Sequence, residues 1–231
     1  MKTKQLTIII PSHNEEGNIV TCINKIPELK WDTEIIVVDD GTDNTAKLAR
    51  ELAENRKNLI VLHFNQKLGQ GGAILKALEK ATGKVVITLD ADYTVDPSEI
   101  EYIVKPIFNG EADFVITSRF VYPMEKGAMP RPHIIGNKFF TLLTSLIIRK
   151  YLTDVFCGTR AFKRELLQGK LTEKQWPALD MIFEAKKNKL RILELPIHYK
   201  ARKSGTSKVS TFKTGCIHVR DILDKINRYY F

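Results

Sequence analysis

Asp90 and Asp92 stand two residues apart where the apolar, β-branched run Val85-Val86-Ile87-Thr88-Leu89 stops. The run reads as a buried parallel strand, and such strands present functional groups at their carboxyl ends. Two carboxylates so placed repel each other unless a cation joins them. A hard divalent ion with oxygen ligands, Mg²⁺ or Mn²⁺, is the simplest partner and ordinarily brings a substrate phosphate. The bland alternative is an acidic turn that caps the following helix.

Two further strand ends carry polar signatures, Pro11-Ser12-His13-Asn14-Glu15 and Asp39-Asp40-Gly41. A doubly wound sheet gathers all three on one edge, which favours a nucleotide and metal site. The turn Gly69-Gln70-Gly71-Gly72-Ala73 follows Lys67 and opens a helix. It could admit a phosphate, but it fits neither G-x-G-x-x-G nor a P-loop, and close packing explains it equally well. Lys200-Ala201-Arg202-Lys203-Ser204-Gly205-Thr206-Ser207-Lys208 places four cations on a glycine-hinged segment able to close over a diphosphate, or to be a solvated loop. Among the histidines only His13 falls in a strand-end motif, and no His/Cys cluster has zinc spacing.

The elements that must position these groups alternate. Strands are expected at Leu6–Ile10, Glu34–Val38, Leu59–Phe64, Val85–Leu89 and Phe114–Thr117. Helices are expected at Glu15–Ile26, Asn44–Asn55, Gly72–Ala81 and Pro97–Phe108. That rhythm predicts an α/β fold with a doubly wound, mostly parallel sheet. After Arg119 it breaks: 120–134 reads as a mobile loop, Ile135–Lys150 as a helix and Asp154–Phe162 as irregular. A helix over Ala178–Lys189, a strand at Ile192–His198 and a basic helical extension from Thr211 with Ile217, Leu223 and Ile226 on one side complete the reading.

The first 119 residues carry 14 Lys and Arg against 18 Asp and Glu, and the remaining 112 carry 22 against 9. The basic half implies an anionic partner: nucleic acid, anionic lipid or a phosphorylated substrate. Three scattered cysteines fit neither a disulfide framework nor zinc and suggest a reducing compartment. Met1 to Gln5 runs straight into a strand, so no leader is expected, and no stretch reaches the ~18–20 apolar residues of a membrane span. We expect one domain over residues 1–231, its first 119 carrying the nucleotide and metal site and residues 120–231 facing the anionic partner.

In order along the chain, PSHNEEGN, EIIVVDDGTDNT, KLGQGGA, DAD, TSRF, DVFCGTRAF and ELPIHYKARKSGTSK resemble the GT-A glycosyltransferases of family 2. The last two pieces resemble the branch of dolichol-phosphate mannose synthases and related polyprenyl-phosphate glycosyltransferases. The resemblance implies that Pro11, His13 and Glu15 line the nucleotide, Val38 and Asp40 contact the base, and Asp90 and Ala91 contact the nucleotide sugar. It implies that Asp92, with Asp90 beside it, holds Mg²⁺ or Mn²⁺ on the diphosphate. Arg119 and Arg131 would face the acceptor phosphate, and Arg202 and Lys208 would reach the phosphates from the mobile loop, with Asp92, Arg119 and Arg202 the residues that carry the chemistry. Two departures stand out: Thr94 occupies a position often held by a metal-side Gln, and Arg131 is followed by Pro132-His133-Ile134-Ile135 where a Ser is usual.

The implied reaction is inverting transfer from GDP-mannose or a UDP-hexose to a polyprenyl or dolichyl phosphate. The lipid phosphate is already anionic, so alignment and charge stabilisation replace a strong general base. The amphipathic Phe139–Ile148 segment and the basic half would hold the enzyme peripherally at the cytoplasmic face of the membrane, alone or with an anchoring partner. One alternative is a soluble family-2 transferase that glycosylates a hydroxyl, with Asp154 or Glu184 as base. The other is a non-catalytic nucleotide-sugar or nucleic-acid binder; the acidic strand ends and absent aromatic interleaving argue against nucleic acid.

Overall fold

The computed structural model describes residues 4–172, 175–202, 204, 217, 219–220, 222–225 and 227. The first five strands, β1 (Leu6–Ser12), β2 (Thr33–Asp39), β3 (Leu59–His63), β4 (Val85–Thr88) and β5 (Phe114–Ser118), each run parallel to at least one sheet neighbour. With β6 (Arg160–Lys163) and β7 (Ile192–Pro196) they form one seven-stranded sheet of order β3-β2-β1-β4-β6-β5-β7. β6 lies antiparallel between β4 and β5. Asp154–Phe162, expected to be irregular, therefore ends in a central strand. Its four residues begin and end with a charged side chain and are too few to display a period, and Arg160 is itself fully buried.

The helices are α1 (Ile19–Asn24), α2 (Thr45–Asn55), α3 (Gly69–Lys80), α4 (Ile100–Phe108), α5 (Arg131–Ile148), α6 (Arg164–Leu167) and α7 (Pro177–Lys187). Helices cover both faces of the sheet, which is why β1 carries the consecutive apolar residues Ile8, Ile9 and Ile10 and does not alternate. Ile8 and Ile10 enter the core that holds Ile19, Ile23 and Ile103, and Ile9 enters the core that holds Ile74, Ala77 and Phe183. α1 is shorter than the expected Glu15–Ile26, because Glu15 to Gly17 turn instead to serve the sheet edge. α5 begins at Arg131 inside the expected loop: Pro132 occupies the first turn, where its missing N–H costs nothing.

In the C-terminal extension the described residues 217, 219–220, 222–225 and 227 are helical. Its buried positions are Ile222 and Lys225, the latter paired with the buried Asp180 of α7. Ile217 is only partly buried and Leu223 is exposed, so the expected apolar side is not the packed one; Ile226 lies outside the described residues.

Candidate active site

The ends of β1, β2 and β4 meet on one edge, as parallel strands require. A cleft of about 590 Å³ opens there and extends between α5 and the start of α7. On the wall built by the turn after β1 the backbone passes through Asn14, left-handed at φ 52°. Such a non-glycine conformation is uncommon and gathers at functional turns. His13 Nδ1 stands 2.7 Å from Asp40 Oδ1, and Asp40 Oδ2 accepts from the amides of Leu68 at 2.6 Å and Gly69 at 3.0 Å. Asp40 thus occupies the start of α3, so the glycine-rich turn serves as a docking point for this carboxylate and its leading amides are not open to a phosphate. Asp39, fully buried, is held by His63 at 2.9 Å and by the Ser12 hydroxyl at 3.2 Å and does not line the cleft.

The acidic turn lies mid-cleft. Gln70 Nε2 donates to Asp90 Oδ1 at 3.1 Å, and Gly158 packs so closely that a Cβ there would collide with the Asp90 carboxylate. Burial first, then the charge of Asp92, pushes Asp90 up to about 7 against the opposing pull of Arg119, Arg202 and Arg160. Asp92 Oδ1 accepts from the amide of Thr94 at 3.1 Å and from its hydroxyl at 2.7 Å. Tyr93, between them, is left-handed at φ 60° and folds Thr94 back onto Asp92. Thr94, the departure from the Gln usual at this position, is thus hydrogen-bonded to the acid through both its amide and its hydroxyl.

A strap of residues 199–202 closes the side next to the turn after β1. Tyr199 bridges Val95, Lys200 N donates to Thr94 O at 2.8 Å, and Lys200 Nζ meets Asp96 Oδ2 at 2.5 Å. This places Arg202 between two acids: Nη1 lies 2.9 Å from Glu15 Oε1 and Nη2 lies 2.6 Å from Asp92 Oδ2. Burial opposes the Arg202 charge, but Asp92 and Glu15 outweigh it and raise its pKa.

At the far end Arg119 forks onto Asp154, Nε to Oδ2 at 2.6 Å and Nη2 to Oδ1 at 2.9 Å, beneath the ring of Tyr199. The amide of Asp154 in turn donates to Glu194 at 3.0 Å. Neither Asp154, fully buried, nor Glu184, on α7, lines the cleft, so neither is placed as a base.

Pro11, His13, Glu15, Asp40, Asp90, Ala91, Asp92, Arg119 and Arg202 thus converge on one cleft. Val38 does not: its side chain is fully buried between β2 and α3. Arg131 is exposed at the first position of α5 and does not line the cleft, whereas His133 and Asn137 from the same helix do. A residue at the head of a helix projects away from the face used two and six positions on. Lys208 lies outside the described residues. The sequence reading gave no role to Gln70, His133, Arg160 or Trp176, although GTRAF had marked the stretch holding Arg160.

The sequence profile described as glycosyl transferase family 2 matches residues 7–169. The chain belongs to that family. It is a glycosyltransferase. Over 217 residues it is 34% identical to the UDP-N-acetylglucosamine–dolichyl-phosphate N-acetylglucosaminyltransferase of Methanococcus voltae, covering 85% of this chain and 86% of that one. The polyprenol monophosphomannose synthase of Mycolicibacterium smegmatis is 28% identical over 90% of this chain and 82% of its own. Other relatives are longer, and the transferase spans 55% and 35% of two of them. Its fold matches glucosyl-3-phosphoglycerate synthase from Mycobacterium tuberculosis, solved with Mn²⁺ and UDP, at a TM-score of 0.74. That match has 20% identity and covers 99% of this chain and 81% of that one, and it establishes the GT-A-like fold.

Proposed function

We propose that this glycosyltransferase moves a hexose from a nucleotide sugar to a polyprenyl phosphate with inversion at the anomeric carbon. The observation that carries the reading is the Arg119–Asp154 fork. It removes Asp154 from service as a base and fixes a cation on the cleft. A nucleophile that arrives already ionised suits such a site, and a phosphate oxygen is one. The two relatives named for transfer to dolichyl phosphate and polyprenol support the same acceptor class.

The nucleotide would lie against Pro11, His13, Glu15 and Asp40, with the diphosphate directed at Asp92 and Arg202. Among the described residues no cluster of three or more His, Cys, Asp or Glu could hold a metal unaided. That fits Mg²⁺ or Mn²⁺, which takes one or two carboxylates and draws its other ligands from water and phosphate. Asp90, its pKa raised by burial first and then by the charge of Asp92, stands beside it at the same strand end. Asp92 would hold the ion, with Asp90 next to it; once bound, it would supply charge to the departing nucleoside diphosphate. The chain's own residues do the rest. Thr94 aims Asp92, the strap brings Arg202 to the phosphates, and Arg119 orients the incoming oxygen from the other side.

The membrane side is supported by α5. Ile135, Phe139, Leu142 and Leu146 repeat at helical spacing and are 70%, 59%, 59% and 68% exposed. Lys138, Arg149, Lys150 and Tyr151 beside them are exposed too. Among the described residues no helix is long and apolar enough to cross a membrane. We place this face on the cytoplasmic leaflet, lying in its interface, where a lipid phosphate would reach the cleft. The test supplies radiolabelled nucleotide sugars, Mg²⁺ or Mn²⁺ and a short polyprenyl phosphate. Label extracted into organic solvent supports the reading; transfer to a free sugar hydroxyl in preference to the lipid phosphate overturns it.

A further inference from the structure

Among the described residues three arginines line the cleft: Arg119, Arg160 and Arg202. Two have carboxylate partners. Arg119 forks onto Asp154, and Arg202 spans Glu15 and Asp92. Arg160 is different. It is 1% exposed, and its hydrogen bonds run to backbone carbonyls: Nε to Cys157 O at 2.7 Å, Nη1 to Ala178 O at 2.7 Å and Nη2 to Val155 O at 2.5 Å. Asp154 and Asp90 lie close enough to favour its charge, but among the described residues no carboxylate bonds to it. A guanidinium has five N–H groups, so two remain beyond those three bonds.

A buried charge without an ionic partner is expensive. Burial lowers Arg160 only to about 10, so it stays charged at neutral pH. The carbonyls that hold it belong to the loop after Asp154 and to the first turn of α7, where Trp176, Pro177 and Ala178 line the cleft. An anion entering between α5 and α7 would meet this charge and relieve its cost. A neutral alcohol would not.

We propose that Arg160 is the acceptor-binding residue that makes this limb of the cleft select a phosphate over a hydroxyl. The inference rests on the lipid-phosphate reading and adds a residue and a basis for selectivity to it. Arg119 orients the phosphate from the sheet edge, and Arg160 attracts it from the floor.

The experiment compares wild type, Arg160→Gln and Arg160→Lys, each first checked for folding by its melting temperature. Acceptor KM is measured with a short isoprenyl phosphate, and donor affinity is measured separately by nucleotide-sugar titration. Arg160→Gln should raise acceptor KM by about tenfold or more, as loss of a charged contact does, with donor affinity within about twofold. Arg160→Lys keeps the charge and should recover most of that loss. If wild type transfers nothing to the phosphate, the parent reading fails and takes this inference with it. If wild type transfers and Arg160→Gln leaves acceptor KM unchanged, only the inference fails. It also fails if donor affinity drops equally, which assigns Arg160 to the diphosphate, or if Arg160→Lys is as defective as Arg160→Gln, which makes the residue a clamp for the α7 turn. Should Arg160→Gln not fold, the Lys variant decides: an acceptor KM within about threefold of wild type upholds the proposal, and a larger rise overturns it.

Discussion

Arg202 Nη2 meets Asp92 Oδ2 at 2.6 Å, although the two residues stand 110 positions apart in the chain. The other arm of the same guanidinium holds Glu15. The strap thus couples the acid at the end of β4 to the turn after β1, and in this state the cation sits on the carboxylate proposed for the metal. Ser204 reaches the same turn: its carbonyl accepts from Asn18 at 3.2 Å, and a side chain at Gly17 would collide with it. A closed strap and a shielded Asp92 are therefore one arrangement.

Asp92→Asn keeps the shape of this junction and deletes its charge. Transfer should fall by about 100-fold or more, consistent with loss of an ionic contact in a catalytic centre. The melting temperature should stay close to wild type. Chelation of divalent ions should abolish wild-type turnover, with recovery on adding Mn²⁺ or Mg²⁺. Near-normal turnover of Asp92→Asn at saturating metal would remove Asp92 from the mechanism.

Thr94→Val removes the hydroxyl that donates to Asp92 at 2.7 Å while leaving the backbone amide in place. Asp92 then keeps its charge and loses part of its aim. We expect Mn²⁺ binding, read by isothermal titration with the nucleoside diphosphate present, to weaken by roughly fivefold, about the value of one hydrogen bond. A Thr94→Val variant that loses all metal binding would make the hydroxyl a ligand.

Arg119→Ala leaves Asp154 fully buried and without its two-pronged partner. Breaking a buried pair from one side costs about 3–5 kcal/mol, so this variant should melt markedly lower. Arg119→Lys keeps the charge and loses the fork. It should fold, bind donor normally and lower transfer to polyprenyl phosphate by about tenfold or more. Parallel loss of donor affinity in Arg119→Lys would move Arg119 to the donor side.

The parallel half of the fold was readable because both its faces are covered: Leu6–Ile10, Glu34–Val38 and Val85–Leu89 are each apolar at four of five positions and buried at all five, and end in polar turns. Convergence of Glu15, Asp40, Asp90 and Asp92 followed from the same topology. What escaped was set by tertiary contacts. β6 is a four-residue strand whose first member is a buried arginine, so composition argued against it. Thr94 stood out only as a departure from the usual Gln; its bond to Asp92 depends on the left-handed turn at Tyr93, which composition does not reveal. Arg131 carried the right charge on the wrong side of α5, and helix phase was hidden by the prolines around it.

The strap carries a pH signature. Burial alone would raise Asp96, but the hydrogen bonds from Lys200 and Ser98 prevail and bring it down to about 2. A carboxylate depressed below its unfolded value of ~3.9 adds stability that is complete above about pH 4–5 and lost as pH falls toward 2. The difference in melting temperature between wild type and Asp96→Asn should hold steady from pH 7 to about 5 and shrink between about 4 and 2. Asp113, held low by Arg191 and Lys163, titrates in both proteins and cancels in the difference. A gap that closes already at pH 6 would mean the Lys200–Asp96 pair does not hold the strap.

The exposed face of α5 separates attachment from chemistry. Phe139, Leu142 and Leu146 have more than half their surface in solvent, so replacing all three with Ser should leave the melting temperature nearly unchanged. Full burial of each such side chain is worth roughly 1.5–3 kcal/mol, and an interfacial helix gains a part of it. The triple variant should therefore lose about 100-fold in partitioning to anionic vesicles, measured by co-sedimentation. Transfer to a detergent-dispersed short-chain acceptor should persist, because none of the three lines the cleft. Replacing Lys138 and Lys150 with Gln should instead weaken binding to anionic vesicles by about 1 kcal/mol per charge and leave neutral vesicles unaffected. Equal vesicle binding by wild type and the triple variant would take α5 off the membrane and leave the lipid to reach the cleft by another route.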